Sequence, residues 1–304
     1  VRGIHNIRDQ HRGCVLTIGK FDGVHLGHQA VLASMVQKAR TLNLPSVVMV
    51  FEPQPEEVFA PQYAPARLSR LRDKYNALSA LNIDRLLVVN FNARFSSMSA
   101  DSFISELLVS KLDVRYLVVG DDFRFGNKRV GNFAMLQKAG KRHSFDVVST
   151  QSFKLLDCRI SSTEIRNALG NDDFETAHAM LGRPFSISGK VVHGDKKGRT
   201  IGFPTANVLL KRCKSPVEGV FAVRALIAGQ LYDGVANIGT RPTVNGVRSQ
   251  LEVHVFDFQS NIYGEFVEVN ILAKIRSEKK FESFSALQEQ IKLDVQRAHQ
   301  LLTR

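Results

Sequence analysis

No run of apolar residues in this chain approaches the roughly 18 needed to span a membrane. A membrane-embedded function is therefore not expected. No secretory signal is visible from Val1 onward. Cysteine is scarce: Cys14, Cys158 and Cys213 are odd in number and widely spaced. They build neither a disulfide framework nor a metal-like pair, and they point to a reducing compartment, the cytoplasm. Internal repeats, low-complexity tracts and the Walker phosphate-loop pattern are all missing. Acidic residues fall short of basic ones, 29 against 41, which leaves a net charge of +12. That charge invites a nucleic-acid reading. The basic residues are scattered, however, and no basic run is interleaved with stacking aromatics. Anionic nucleotides explain a positive surface equally well.

With 304 residues the chain has room for two domains, each with its own core. The first half is organised around Thr17 to His28. An apolar run, Cys14 to Ile18, reads as a buried strand; a glycine-rich turn follows. Val31, Leu32, Met35, Val36 and Ala39 then recur at helical spacing. The pair His25 and His28 thus sits where a strand ends and a helix begins. Unpaired amides at a helix N-terminus favour anions. Gly23 and Gly27 remove side chains that would keep a phosphate from the backbone. The outline is that of a nucleotide-phosphate site.

Further strands are expected at 46–51, 86–89, 116–119 and 146–149, separated by helices over 67–82 and 99–112. Strand alternating with helix implies a parallel sheet with right-handed crossovers. Pro53 and Pro55 end the second strand. The fourth strand runs into Gly120-Asp121-Asp122-Phe123-Arg124-Phe125-Gly126, beyond a strand carboxyl end, where ligands of such sheets bind. Asp122 suits Mg²⁺ or a ribose, and Phe123 and Phe125 suit adenine or a flavin. Later, Ser161 and Glu164 form a capping box for a short helix that Gly170 ends. Ser162, Thr163 and Arg166 would face outward there as a second phosphate clamp. A further helix over 172–181 ends at Gly182.

The pattern changes near Gly182-Arg183-Pro184. Strands are expected at 185–192, 219–228, 230–238, 249–258 and 266–276, with Ala228-Gly229-Gln230 as a hairpin turn. Val267, Val269 and Ile271 alternate with Glu268 and Asn270, so one face is buried. Successive antiparallel strands suggest a small barrel. A last helix carries a capping box at Ser285 and Gln288 and an apolar stripe of Phe284, Leu287, Ile291, Val295, Ala298 and Leu302. Between the first two of these strands, Gly189 to Asn207 reads as a flexible hairpin. Gly198 permits close backbone approach to phosphate. Thr205 and Asn207 offer oxygens suited to a hard cation. Glu252 lies on the face opposite Leu251 and Val253, with His254 beside it to orient it.

Several of these stretches resemble one family. His25-Leu26-Gly27-His28 is similar to the HxGH signature of nucleotidyltransferases. The longer stretch from Gly19 to His28 resembles the bacterial bifunctional riboflavin kinase/FMN adenylyltransferase (FAD synthetase) family. So do the Gly120 to Gly126 segment, Ile160-Ser161-Ser162-Thr163, Gly202-Phe203-Pro204-Thr205-Ala206-Asn207, Asn237 to Thr243 and Glu252-Val253-His254. The likeness spans nearly the whole chain. It implies an α/β adenylyltransferase domain over 1–182 and a riboflavin kinase β-barrel with terminal helix over 183–304. It also implies the substrates riboflavin, FMN and ATP, with Mg²⁺ as cofactor.

Residue by residue, the resemblance implies nucleotide binding by Gly19, Phe21, Asp22, Gly23, Gly27, Ser161, Ser162, Thr163, Gly198, Thr205 and Asn207. Thr205 and Asn207 are also the implied metal ligands. Asp122, Phe123, Phe125, Asn237 and Arg241 are the implied flavin contacts, and Glu252, His25, His28 and Arg166 the catalytic groups. Three positions depart from the common pattern: Lys20 for Asn, Gln54 for His and Glu164 for Arg. HxGH with the Ser-Ser-Thr clamp would also suit another acceptor, such as a pantetheine or glycerol phosphate. The Pro204-Thr205-Ala206-Asn207 module argues against that. An RNA-binding regulator is the reading outside enzymes, resting on charge.

Overall fold

The computed structural model describes residues 1–150, 160–193, 203–210, 214–243 and 246–303, with backbone alone over 240–243 and 246–248. Gly198, Cys158 and Cys213 lie outside the described residues, as does the side chain of Arg241. The chain forms two compact units. One holds Val1–Pro65 and Ser69–Ile160; the other holds Ala66–Leu68 and Ser161–Arg304.

The first unit is an α/β sandwich. Its strands are β1 (Cys14–Ile18), β2 (Ser46–Glu52), β3 (Arg85–Asn90), β4 (Val114–Val119) and β5 (Asp146–Ser149). All pair in parallel, in the order β3-β2-β1-β4-β5. The five expected strands are thus present. The helices are α1 (Leu26–Thr41), α2 (Pro55–Phe59), α3 (Leu71–Ala80), α4 (Ala93–Ser96), α5 (Ala100–Ser102) and α6 (Phe133–His143); α5 runs into a π-helical stretch, Phe103–Lys111.

Both faces of β1 are buried. Val15 joins Leu32, Met35, Ala39 and Leu78 on the face of α1 and α3, while Leu16 joins Phe103, Leu107, Leu108 and Leu136 on the other. This is why β1 reads as a continuous apolar run instead of an alternating one. Cys14 is fully buried there, and burial pushes its thiol up to about 12. Sheet order reverses after β1: β2 and β3 lie to one side, β4 and β5 to the other. The carboxyl ends of β1 and β4 flank that switch point, where parallel sheets open a crevice.

The helix expected over 67–82 is shorter. It starts after Arg70, whose amide donates to Asp73 Oδ2 at 2.8 Å. Tyr75, expected on the buried face, is 57% exposed. Leu68 precedes the helix and belongs to the other unit's core. Helices α2 and α6 lie in segments that showed no sequence pattern of their own.

The second unit starts with α7 (Ser162–Gly170) and α8 (Phe174–Leu181). Its strands are β6 (Phe185–Val192), β7 (Ala206–Leu209), β8 (Gly219–Ile227), β9 (Gln230–Thr243), β10 (Gly246–Val255) and β11 (Phe266–Arg276), and α9 (Phe284–Leu302) ends it. The strands close a barrel in the order β10-β7-β6-β11-β8-β9. Five strands were expected. The sixth, β7, has four residues, too few to show alternation. Ala228 (φ 48°) and Gly229 (φ 84°) make the two-residue turn between β8 and β9, as a twisted hairpin prefers.

Inside the barrel lie Phe185, Ile187, Phe221, Val223, Leu251, Val253, Val267, Val269 and Ile271, joined by Ile165, Leu169 and Phe174 from α7 and α8. The opposite face of β8 carries Val220 and Ala222, which meet Ala298 and Leu302 of α9. The α9 stripe therefore has two fates. Val295, Ala298 and Leu302 complete this core, whereas Leu287 and Ile291 border a cavity. Phe284, placed in the stripe by its spacing, is 60% exposed. The cap also differs: Ser283, not Ser285, is the N-cap, accepting from the Ala286 amide at 3.2 Å.

One ion pair ties α9 to β11. Arg276 reaches Asp294 through Nε at 2.9 and 3.1 Å and through Nη2 at 2.7 Å, and Gln290 donates to the same carboxylate at 3.0 Å. Asp294 is only 3% exposed. Removing one partner of such a buried pair leaves the other charge uncompensated, at a cost of roughly 3–5 kcal/mol. Asp294→Ala is expected near the lower end, since Arg276 keeps a route to water. Asp294→Asn should cost less. Urea unfolding of the full chain, followed by hydrogen exchange of α9 amides, measures both.

Candidate functional sites

The first site begins at the end of β1. Here the chain turns tightly, with positive φ at Phe21 (47°), Gly23 (84°) and Val24 (42°). That conformation is costly for a β-branched residue such as Val24, and strain of this kind gathers at functional sites. The turn is pinned from α3's leading segment. Asp22 Oδ1 accepts from the Ser69 amide at 2.9 Å and its hydroxyl at 3.1 Å, and the Gly23 amide donates to Ser69 Oγ at 2.9 Å. Asp22 is 1% exposed. These contacts hold the loop in shape.

His25 is the N-cap of α1, a role its spacing did not announce. Its Nδ1 accepts from the His28 amide at 3.3 Å. A ring nitrogen that accepts carries no proton, so the proton of His25 sits on Nε2 as a donor. The two imidazoles stack, with centroids 3.6 Å apart and planes 18° from parallel. Phe21 closes on His28 at 5.0 Å. Gly27 has to be small: a Cβ there would lie 3.3 Å from the His25 ring and 3.4 Å from the Ile160 carbonyl.

Burial, then His25, then Lys74 hold His28 well below the usual histidine range. The ring is therefore neutral at pH 7, and its Nδ1 is buried with no partner. Lys74, at 1% exposure, is a buried cation that the sequence reading missed, because a lysine on a helix ordinarily reads as surface. Lys20 pairs with Glu56 at the surface. Gln54 is 3% exposed and N-caps α2, with its amide donating to Glu57 Oε2 at 2.9 Å.

The segment after β4 lies beside this turn in the sheet order. A Cβ on Gly120 would fall 2.6 Å from Asp122 Oδ1, so the carboxylate folds back over the backbone. Phe125 is buried against Phe103 at 5.0 Å, and Phe123 stacks on Phe125 at 5.7 Å. The aromatic series continues through Phe95, Phe91 and Phe51 to Phe59, which is 67% exposed.

In the second unit, Ser161 caps α7 by accepting from the Glu164 amide at 3.2 Å. Arg166 donates from Nε to the Ala66 carbonyl at 2.6 Å and from Nη1 to the Ser162 carbonyl at 3.0 Å.

The barrel supplies another site, and strand register builds it. Glu252 of β10 stands opposite Asn207 of β7 on one side and Asn237 of β9 on the other. Leu251 and Val253 point into the barrel, so the pleat turns Glu252 outward. All three side chains thus share one outer face. Over that face lies a cavity of about 260 Å³, bounded by Thr205, Asn237, Glu252, Glu278, Leu287 and Ile291. A second cavity, about 470 Å³, is bordered by Thr205, Val191, Phe258, Asn261 and Tyr263. Thr205 is common to the two.

Gln250, missed by the sequence reading, donates from Nε2 to both Asn207 Oδ1 and Glu252 Oε1, the latter at 2.9 Å. His254 was expected to orient Glu252. Its Nδ1 instead pairs with the Pro204 carbonyl at 2.9 Å. Asn237 Nδ2 donates to Glu278 Oε1 at 3.1 Å, and its Oδ1 is buried without a partner. Arg241 lies within β9.

Residues 7–164 match the family model described as FAD synthetase, and residues 181–302 the one described as riboflavin kinase. The chain is 54% identical over 299 residues to the bifunctional riboflavin kinase/FMN adenylyltransferase of Haemophilus influenzae, covering 98% of this chain and 97% of that one. It is 54% identical over 296 residues to the protein so named from Escherichia coli, covering 97% and 95%. This chain belongs to the bifunctional riboflavin kinase/FMN adenylyltransferase family. A crystal structure titled as a macrolide-efflux protein from Streptococcus pneumoniae shares the fold, with a TM-score of 0.79 and 31% identity over 98% of each chain. Among the described residues here, no helix is long and apolar enough to cross a membrane.

Within this member of the family, the buried neutral state of His28 has a consequence for stability. Its folded pKa lies below its unfolded value, so the unfolded chain binds more protons as pH falls through about 6.5. The protonation-linked cost of burying it is therefore absent above that pH and grows below it. Wild-type protein should lose stability between pH 7.5 and 5.5, and His28→Gln should flatten that slope. Urea midpoints across this range provide the check.

Proposed function

We propose that the chain catalyses two consecutive reactions. Riboflavin and ATP give FMN and ADP in the riboflavin kinase module, residues 183–304. FMN and ATP give FAD and pyrophosphate in the adenylyltransferase module, residues 1–182. The observation that carries the first is the in-register row Asn207, Glu252, Asn237 beneath a cavity that shares Thr205 with a second cavity. Two substrates meeting at one small hydroxyl residue suit transfer between them. The larger cavity, with Phe258 and Tyr263, would take the nucleotide, and the cavity under α9 the flavin.

In the kinase, Glu252 accepts the proton of the ribityl 5′-hydroxyl as its oxygen attacks the γ-phosphorus and ADP leaves. Asn237 and Arg241 hold the flavin. Thr205 and Asn207 offer hard oxygens of the kind Mg²⁺ takes, and the Gln250 amide, donating to Asn207 Oδ1, fixes the orientation of one of them. Such an ion, when bound, supplies neutralisation of phosphate charge. Gly198 would approach the phosphates through its backbone.

In the adenylyltransferase, a phosphate oxygen of FMN attacks the α-phosphorus of ATP and pyrophosphate leaves. That oxygen is already anionic, so no base is needed. The neutral His25 donates from Nε2, the amides that open α1 add their dipoles, and Gly19, Phe21, Gly23 and Gly27 shape the cradle. His28, stacked on His25 at the same helix start, adds a second ring to the cradle. Asp22 acts through the loop it pins. Ser161, Ser162, Thr163 and Arg166 contribute phosphate contacts; Asp122, Phe123 and Phe125 contribute to the flavin side. Both reactions consume ATP, and we place them in the cytoplasm.

General-base assistance is typically worth roughly 10²–10⁴-fold. Glu252→Gln should cut FMN formation within that approximate range while FAD formation from supplied FMN persists. Chromatography of flavin products after incubation with ATP and Mg²⁺ reads both. A fall of less than about tenfold would remove the base assignment. His28→Ala should show the reverse pattern: FAD formation falls and FMN formation stays nearly intact. Equal loss of both activities in His28→Ala would mean misfolding instead, which thermal unfolding detects.

A further inference from the structure

We infer that Gln250 is a positioning residue for phosphoryl transfer, setting the orientation of Glu252 and Asn207 together; this rests on the kinase reading above. Its Nε2 donates to Asn207 Oδ1 and, at 2.9 Å, to Glu252 Oε1. The assignment of nitrogen over oxygen is forced by chemistry, because a carboxylate can only accept. An NH₂ group has two hydrogens, and here two acceptors use them.

The backbone makes this geometry repeatable. Gln250 precedes Glu252 by two residues on β10, so both leave the same face of the strand. Asn207 enters from β7, directly opposite Glu252. On the other flank, Gln250 faces Gly239 of β9. A Cβ at 239 would collide with Glu278, lying 2.0 Å from its Oε1, so no side chain from that position can crowd the amide. Gln250 is itself partly buried, which limits competition from water.

Chemically, the fork does two things. It engages Oε1 of Glu252 and so fixes how the carboxylate is turned on the strand face. It also aims oxygens from two strands at one point. A base oriented by a third group follows the general logic of activated nucleophiles. His254, on the same face of β10, is engaged with the Pro204 carbonyl at 2.9 Å.

The test is a double-mutant cycle on the full chain with riboflavin and ATP. Gln250→Met keeps volume and removes the donor. It should lower kcat for FMN formation by roughly tenfold or more, as loss of a hydrogen bond to a charged group implies. The riboflavin KM should stay within about twofold, because the hydrogen bond serves the transition state more than binding. In the Glu252→Gln background, the same substitution should lower the rate less than about twofold, since there is no carboxylate left to orient. Gln250→Glu, nearly isosteric, serves as the second variant and should also lower kcat. Thermal unfolding and FAD formation from supplied FMN report on folding.

If Glu252→Gln is crippled but the Gln250→Met factor is the same in both backgrounds, the positioning role is overturned alone. A raised riboflavin KM with kcat unchanged would make Gln250 a binding contact and overturn it too. If Glu252→Gln retains phosphorylation, the base assignment falls and the role of Gln250 falls with it.

Discussion

Strand register is the constraint on which the barrel site depends. Side chains alternate with a period of two, so burying Leu251 and Val253 compels Glu252 to face outward. The same rule turns Asn207 and Asn237 outward, because β7 and β9 bury Val208, Ala236 and Ile238. A slip of one residue in β10 would bury a carboxylate and expose two apolar residues. Closure of the six strands removes the freedom to slip. The position of the acidic side chain thus follows from the same burial that stabilises the module.

The α/β unit solves a related problem with a turn. Its sheet is buried on both faces, so polar chemistry has to collect beyond the strand ends. The turn after β1 carries positive φ at non-glycine residues and is held by Asp22 and Ser69. Rigid hydrogen bonds offset the strain, and two imidazoles are brought to stacking distance at a helix start.

Much of this was legible in the sequence. All five parallel strands were, because apolar runs of that length between helical patterns have few other readings. The outward placement of Glu252 was legible because Leu251 and Val253 flank it. The alternation of Val267, Val269 and Ile271 revealed one wall of the barrel. Other features had no local signal. Strand β7 is too short to alternate visibly. Lys74 looks like any helical lysine until tertiary packing covers it. Gln250 gains meaning only when β7 brings Asn207 alongside, a pairing between residues 43 positions apart. The N-cap of α9 was misplaced by two residues because Ser283 and Ser285 are the same residue type, and only the geometry of the first turn tells them apart.

His25 both caps α1 and presents a donor from the opposite ring nitrogen. One ring nitrogen thus serves the helix start, and the tautomer that this requires makes the other a donor. Side chains that replace only the acceptor would keep the helix start and forfeit the donor. Position 28 is tied to the same cap from the other side, because its amide is the donor and its ring stacks on the capping imidazole at 3.6 Å. Of two histidines three residues apart, the first fixes the helix start through a hydrogen bond and the second backs it with a stacked, buried ring.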